Sequence, residues 1–264
     1  MQNLKVTLVQ ADLVWENGQA NLDRFDKSLD GLKDATHLVV LPEMFATGFT
    51  MNAEDVAQTM DGPAVSWMKA RSRDMKVDIT GSLVIRDSGR YYNRLLWAKP
   101  TGELFVYDKK HLFRYAGEEK IFTPGKKPII VELQGWRIRP FICYDLRFPI
   151  WTRNLNQVYH VALFTANWPA RRSGHWKALL TARAIENQAY VIGVNRVGVD
   201  GNGLDYSGDS RAVDPLGTVI FQHSGSPVIH TVELSMGELE SYRASFPAWM
   251  DADTDLPGNF PGLD

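Results

Sequence analysis

Short β-rich runs recur along nearly the whole chain, and their number against the few helical patterns between them constrains the fold most. The early runs are LKVTLVQA (4–11), HLVVLPE (37–43), VDITGSLVI (77–85), YYNRLLWAK (91–99) and LFVYDKKH (104–111). IIVEL (129–133), WRIRPFICYD (136–145), VYHVALFTAN (158–167) and AYVIGVNRVG (189–198) follow. SRAVDPLG (210–217), TVIFQH (218–223) and VIHTVEL (228–234) complete about a dozen expected strands. Some neighbours are joined by DSGR, KPTGE, LQGW or DPLGT, each placing Gly where a hairpin turn or bulge needs positive φ. Others flank helical patterns. Residues 18–33 space Leu22, Phe25, Leu29 and Leu32 along one face, and 63–75 open on Pro63 and carry Val65, Met68 and Met75. Residues 173–188 start at Ser173, an expected N-cap, and run through Trp176, Leu179, Leu180 and Ala184; a short helix is expected over 236–243.

So many strands with so few helices leave one face of a single doubly wound sheet bare. Two sheets packed face to face, each covered outside by helices, remove that exposure. The expected class is α/β, a four-layer α-β-β-α sandwich. No repeat, low-complexity linker or composition shift marks a boundary, so residues 1–250 read as one domain. The stretch DADTDLPGNFPGLD (251–264), with two Pro-Gly pairs and four Asp, reads as an extended tail suited to lie on a neighbouring subunit.

The bulk numbers exclude several partner classes. Lys plus Arg is 29 against 31 for Asp plus Glu, a formal net charge of -2, with no general attraction to nucleic acid or an anionic membrane. A single cysteine forms no intramolecular disulfide, so no oxidising compartment is implied. The start, MQNLKVTLVQADLVWENG, lacks a basic stretch followed by a continuous apolar run and a cleavage site. No apolar run approaches the ~18 residues of a membrane span. The expectation is a soluble, cytoplasmic protein without nucleic-acid or membrane partners.

That one cysteine, Cys143, lies in RPFICYDLRFP (139–149). Most lone cysteines are small buried hydrophobes. Here, however, the apolar PFIC is broken at once by YDLRFP, which puts Cys143 at the carboxyl end of a strand, where open α/β sheets bind ligands. Pro149 permits a helix just beyond, whose N-terminal dipoles would favour a thiolate. Glu43 likewise ends an aliphatic run in LVVLPEMFATGF and reads either as half of a structural ion pair or as a general base. Lys109 and Lys110 in VYDKKHLF are adjacent on an expected strand and point to opposite faces; His111 shares the side of Lys109 and reads equally as a core histidine. There is no G-x-S-x-G, no Cys-His metal spacing and no phosphate loop; VGVDGNG lacks the helix that such a loop opens.

In order, LPE with Glu43, DKKHLF with Lys109 and CYDLRFP with Cys143 resemble the nitrilase superfamily of carbon–nitrogen hydrolases. NRLL (93–96), FTPG (122–125), TANWP (165–169) and RAIENQAYVIGVNRVG (183–198) add to the likeness, which spans nearly the whole chain and is closest to the ω-amidase branch. The resemblance implies the four-layer sandwich and a Glu-Lys-Cys triad: Cys143 as nucleophile, Glu43 as general base and Lys109 as stabiliser of the tetrahedral intermediate. A second glutamate is expected in GEEKIFTPG, Glu118 in preference to Glu119. The implied substrates are small 2-oxo acid ω-amides and water, with no metal and no organic cofactor, in a homodimer. A substrate carboxylate needs an arginine, for which Arg147, Arg171 and Arg172 are candidates, with Trp168 as an apolar wall and the amide after the nucleophile, that of Tyr144, as an oxyanion donor. Arg183 and Glu186 are expected to pair structurally. The alternatives are a carbamoyl or other aliphatic amide substrate with the same triad, and a catalytically silent protein retaining the fold.

Overall fold

A computed structural model of the chain describes residues 2–32 and 35–253. In chain order the strands are β1 (Leu4–Gln10), β2 (Leu38–Val40), β3 (Asp78–Asp87), β4 (Arg90–Ala98), β5 (Leu104–Asp108), β6 (Val131–Leu133) and β7 (Trp136–Ile142). β8 (Val161–Thr165), β9 (Tyr190–Val194), β10 (Val197–Val199), β11 (Asp205–Val213), β12 (Val219–Ser224) and β13 (Val228–Leu234) follow. They form two sheets, ordered β13-β1-β2-β3-β4-β5 and β10-β11-β9-β8-β7-β6, with β12 paired to β11.

Side-chain alternation along these strands builds three layers of apolar contact. Between the sheets, Leu4, Val6, Leu38, Val40 and Trp97 of the first meet Trp136, Ile138, Leu163, Ile192 and Ala212 of the second. Outside the first sheet, Val39 and Ile79 pack under the helices Gly18–Leu29 and Pro63–Met75 through Leu22, Phe25, Val65 and Met68. Outside the second, Phe141, Phe164 and Val191 pack under Trp176, Leu180 and Ala184 of the helix Ser173–Asn187. This is the α-β-β-α sandwich, and it resolves the bare-face problem as expected.

Several element boundaries differ from the sequence reading. The run 189–198 is two strands, β9 and β10, because the polar pair Asn195–Arg196 breaks it. The run 210–217 belongs to β11, which starts earlier at Asp205 and gives way at Asp214 to a turn. Ser173 is the first helical residue and not a cap; its hydroxyl donates to Asp209 Oδ2 at 2.7 Å. Ser235, by contrast, does cap its helix, Met236–Ser245, accepting from the Glu238 N–H. The first helix stops at Leu29, short of residue 33, which lies outside the described residues. Of the expected tail, residues 254–264 also lie outside the described residues, while Ala248–Asp251 form a 3₁₀ turn. Arg183 Nη1 donates to Glu186 Oε1 at 2.8 Å, as the helix spacing predicted.

Strands β1, β2 and β3 are mutually parallel, as are β7, β8 and β9. The loops leaving the carboxyl ends of β2, β5, β7 and β8 gather at one rim, where the polar strand-end residues meet.

Candidate active site

Glu43, Lys109 and Glu118 converge at that rim from three separate segments. Glu43 lies just past β2 and is fully buried. Its Oε1 accepts from Lys109 Nζ and from Asn93 Nδ2, each at 2.8 Å, and its Oε2 from the Asn167 N–H at 2.8 Å. Lys109, 1% exposed, follows β5 and also donates from Nζ to Glu118 Oε1 at 3.0 Å and Oε2 at 2.9 Å. Glu118 opens a one-turn helix, Glu118–Ile121; its Oε2 takes the Phe113 N–H at 2.6 Å and its Oε1 takes Asn93 Nδ2 at 3.1 Å. Glu118, and not Glu119, therefore meets Lys109.

The backbone locks Lys109 in place. Its N–H donates to Asn93 O at 3.0 Å and its carbonyl accepts from Gly125 N–H at 2.9 Å. A Cβ at Gly125 would lie 2.0 Å from Asp108 O, so the FTPG stretch can close against the strand end only with glycine. β5 ends at Asp108, so the divergence of Lys109 and Lys110 comes from a turn and not from strand alternation. Lys110 turns to the Trp151 ring, 5.5 Å from its centroid. His111, neither in the core nor beside Lys109's partners, places Nδ1 2.8 Å from Asp145 Oδ1.

Cys143 directly follows β7 with φ 43°, a left-handed conformation that costs a non-glycine residue about 1–3 kcal/mol. The chain then forms a 3₁₀ segment, Cys143–Arg147, and a single turn, Pro149–Thr152. The expected helix beyond Pro149 is thus one turn long, and the thiol is not depressed. Burial pushes the Cys143 thiol well up, the Glu43 carboxylate adds to the rise, and the Lys109 ammonium only partly opposes it. Burial alone would lower the Lys109 pKa, but the Glu118 and Glu43 carboxylates reverse the direction and raise it, so the ammonium is retained. Glu118 is raised by burial against the pull of Lys109. Around Cys143 the resting site therefore sets a neutral thiol beside a firm cation.

Above this floor lies a cavity of about 560 Å³, lined by Lys109, Cys143, Tyr144 and Asn167 at its base. Its walls are aromatic and apolar, including Trp15, Phe49, Phe113, Tyr115, Trp168 and Leu204. Arg147, Arg171 and Arg172 all reach it. Arg147 lies over Trp168, 5.0 Å from the ring centroid, with Nη2 2.9 Å from His175 Nδ1. Arg171 lies over Tyr115 at 5.5 Å and Arg172 over Phe113 at 5.2 Å. Among the described residues none of the three is in an ion pair. Burial, then the Arg171 charge, depresses the Arg172 pKa, and Cys143 pulls against them.

Sequence reasoning missed Asn93, which bridges both carboxylates with one amide group, and Asn167, which grips Glu43 from the second sheet. Both stand in stretches that drew notice, NRLL and TANWP, but nothing local shows which polar residue of a strand or strand end faces the site. The VGVDGNG segment also proves to be site wall: Asp200 and Asn202 line the cavity on the β10–β11 hairpin.

Comparison with known proteins agrees with this architecture. The carbon-nitrogen hydrolase family model matches residues 5–244. The chain is 50% identical over 254 residues to omega-amidase YafV of Escherichia coli K12, covering 96% of this chain and 98% of that protein. It is 31% identical to the 2-oxoglutaramate amidase of Bacillus subtilis, covering 95% and 98% respectively. Among solved structures, XC1258 of Xanthomonas campestris, a CN-hydrolase superfamily protein with an arsenic adduct in its active site, superposes with a TM-score of 0.96 at 43% identity. That match covers 98% of this chain and all of the other. The chain belongs to the carbon–nitrogen hydrolase family, within the nitrilase superfamily.

Proposed function

We propose that this enzyme hydrolyses the terminal amide of small 2-oxo acids such as 2-oxoglutaramate to the acid and ammonia. The observation that carries this reading is the buried Lys109 ammonium held between Glu43 and Glu118 on the floor that also presents Cys143. The similarity to proteins named for omega-amidase and 2-oxoglutaramate amidase activity supports the substrate class.

An amide is a poor electrophile and ammonia a poor leaving group, so a covalent intermediate divides the task. The thiol of Cys143 is neutral at rest and needs a base. Glu43 takes its proton as sulfur attacks the amide carbon. The oxyanion is held by the Lys109 ammonium and the N–H of Tyr144, preorganised donors of a kind worth about 3 kcal/mol each. Glu43 returns the proton to the departing nitrogen, ammonia leaves, and a thioester remains. Water, deprotonated by the same carboxylate, cleaves the thioester to the acid and regenerates the thiol. Glu118 and Asn93 hold Lys109 and Glu43 in register throughout. Arg147, Arg171 and Arg172, which form no ion pair among the described residues, receive the substrate carboxylate, and Trp168 supports its apolar chain.

The same reading includes a cytoplasmic homodimer, with a small-molecule amide and water as its only substrates and no nucleic-acid or membrane partner. Exposed Ile185 and Leu216, next to the Gly217 turn, offer apolar surface for a subunit contact. No described helix is long and apolar enough to cross a membrane.

The test is ammonia release from 2-oxoglutaramate with the native enzyme and Cys143→Ala. The native enzyme should turn over, and the variant should fold normally and lose activity by at least about 10³-fold. Turnover in the variant, or native activity confined to N-carbamoyl compounds, would overturn the reading.

A further inference from the structure

Asp145 takes no part in the chemistry above, yet it lies two residues past Cys143 and is fully buried. One carboxylate there gathers four donors. Oδ1 accepts from the His111 N–H at 2.9 Å and faces His111 Nδ1 at 2.8 Å. Oδ2 accepts from the Tyr107 hydroxyl at 2.7 Å and the Ile142 N–H at 3.1 Å.

The donors fall in a pattern. Tyr107 and His111 bracket Lys109 in sequence; Ile142 and Asp145 bracket Cys143. A single carboxylate thus ties the segment that presents the ammonium to the elbow that presents the thiol. We propose that Asp145, with His111 and Tyr107 as its side-chain donors, is a positioning device that sets Lys109 against Cys143.

Three observations support it. First, the left-handed backbone at Cys143 is held only where its surroundings over-determine it, and Asp145 binds the N–H immediately before it. Second, the donors are themselves fixed: the His111 ring stacks on Phe148 with centroids 3.8 Å apart, and Trp151 Nε1 donates to the Tyr107 oxygen at 3.0 Å. Third, the proton assignments fit an ionised Asp145. An aspartate oxygen accepts, so His111 Nδ1 carries a hydrogen, and burial together with the Asp145 charge keeps the Tyr107 hydroxyl protonated. Glu43, Lys109 and Glu118 lead the charges that shift the Cys143 thiol and Asp145 is not among them, so the role assigned to Asp145 is geometric.

The inference rests on the proposed roles of Cys143 and Lys109. Its test uses Asp145→Asn, His111→Ala, His111→Asn and Tyr107→Phe in the full chain, assayed well below each variant's melting temperature. Asp145→Asn replaces one acceptor by a donor and leaves the Ile142 or His111 N–H unpaired. It should lower kcat by about 10²-fold with KM within twofold, the effect of misplacing reacting groups by about 1 Å. His111→Ala and Tyr107→Phe should each lower kcat several-fold. His111→Asn, whose Nδ2 can donate where Nδ1 did, should recover most of it.

The readout that fold stability alone would not move is the pH dependence of Cys143 alkylation by iodoacetamide. Drawing Lys109 away from sulfur weakens the main cation that favours its thiolate, so the alkylation profile should shift to higher pH in Asp145→Asn and His111→Ala. If Asp145→Asn fails to fold, the two donor variants decide. Native kcat and an unshifted alkylation profile in the folded variants would overturn the inference, while an inactive Cys143→Ala left the proposed reaction standing.

Discussion

Two clusters of the same composition, one cation between two carboxylates, meet where β4 runs beside β5 and the turn that leaves it. In one, Arg94 donates from Nε and Nη2 to Asp108 at 2.6 and 3.0 Å and from Nη1 to Asp87 at 2.9 Å. In the other, Lys109 binds Glu43 and Glu118, with Asn93 beside it. Arg94 follows Asn93, and Asp108 precedes Lys109. Alternation along β4 sends Arg94 outward and Asn93 to the cavity floor, where Lys109 just past the end of β5 meets it. The side chains of Asp108 and Asp87 are 20% and 44% exposed, whereas those of Glu43 and Glu118 are at 0%. Charge stoichiometry is therefore not what makes a site. Water screens the outer cluster, and its bidentate arginine leaves little unsatisfied. The inner one lies in low dielectric, where the same charges act strongly on a neighbouring thiol.

The sharpest way to break the comparison is to remove each cation. Lys109→Ala should lower kcat by about 10³-fold or more through loss of the proposed oxyanion donor. It should also destabilise the fold by roughly 3–5 kcal/mol, since two buried carboxylates lose their partner. Ammonia release and thermal melting read the two effects separately. Glu118→Gln keeps a polar contact but not the charge, and kcat should fall by about 10-fold to 10²-fold while the Cys143 alkylation rate changes less. Arg94→Gln belongs to the outer cluster. It should cost roughly 1–2 kcal/mol, less at high salt, with kcat within twofold.

The smallest effect lies far from both clusters. His160 Nδ1 accepts the Arg137 N–H, and burial, then the Arg137 charge, lowers its pKa to about 4. The folded state binds fewer protons than the unfolded one between pH 6.5 and 4, so this contribution is present above that window and lost as pH falls through it. Melting temperatures from about pH 7 to about pH 4.5 should fall more steeply for the native chain than for His160→Gln, by a few degrees.

How much of this was legible beforehand depended on how local each signal was. Glu43 and Cys143 each end an aliphatic run with a polar residue, a pattern visible within about ten positions. The sandwich followed from strand number against helix number. Glu118 needed more, because only the Phe113 N–H and the Lys109 ammonium separate it from Glu119. Asn93 and Asn167 were out of reach. Each is placed by contacts between segments 50 and 124 residues apart, and no periodicity within either segment encodes that register. The split of β9 from β10 was missed because Asn195 and Arg196 are buried polar residues whose partners, Ser210, Gly208 and Asp12, come from other strands and loops.

The left-handed backbone at Cys143 has a consequence for how this protein can be improved. Glycine is the residue that accepts this conformation freely, so selection for stability alone would favour glycine there, while the nucleophilic role proposed for Cys143 forbids it. The position is one where robustness and catalysis pull against each other, and stabilising substitutions are better sought elsewhere in the chain.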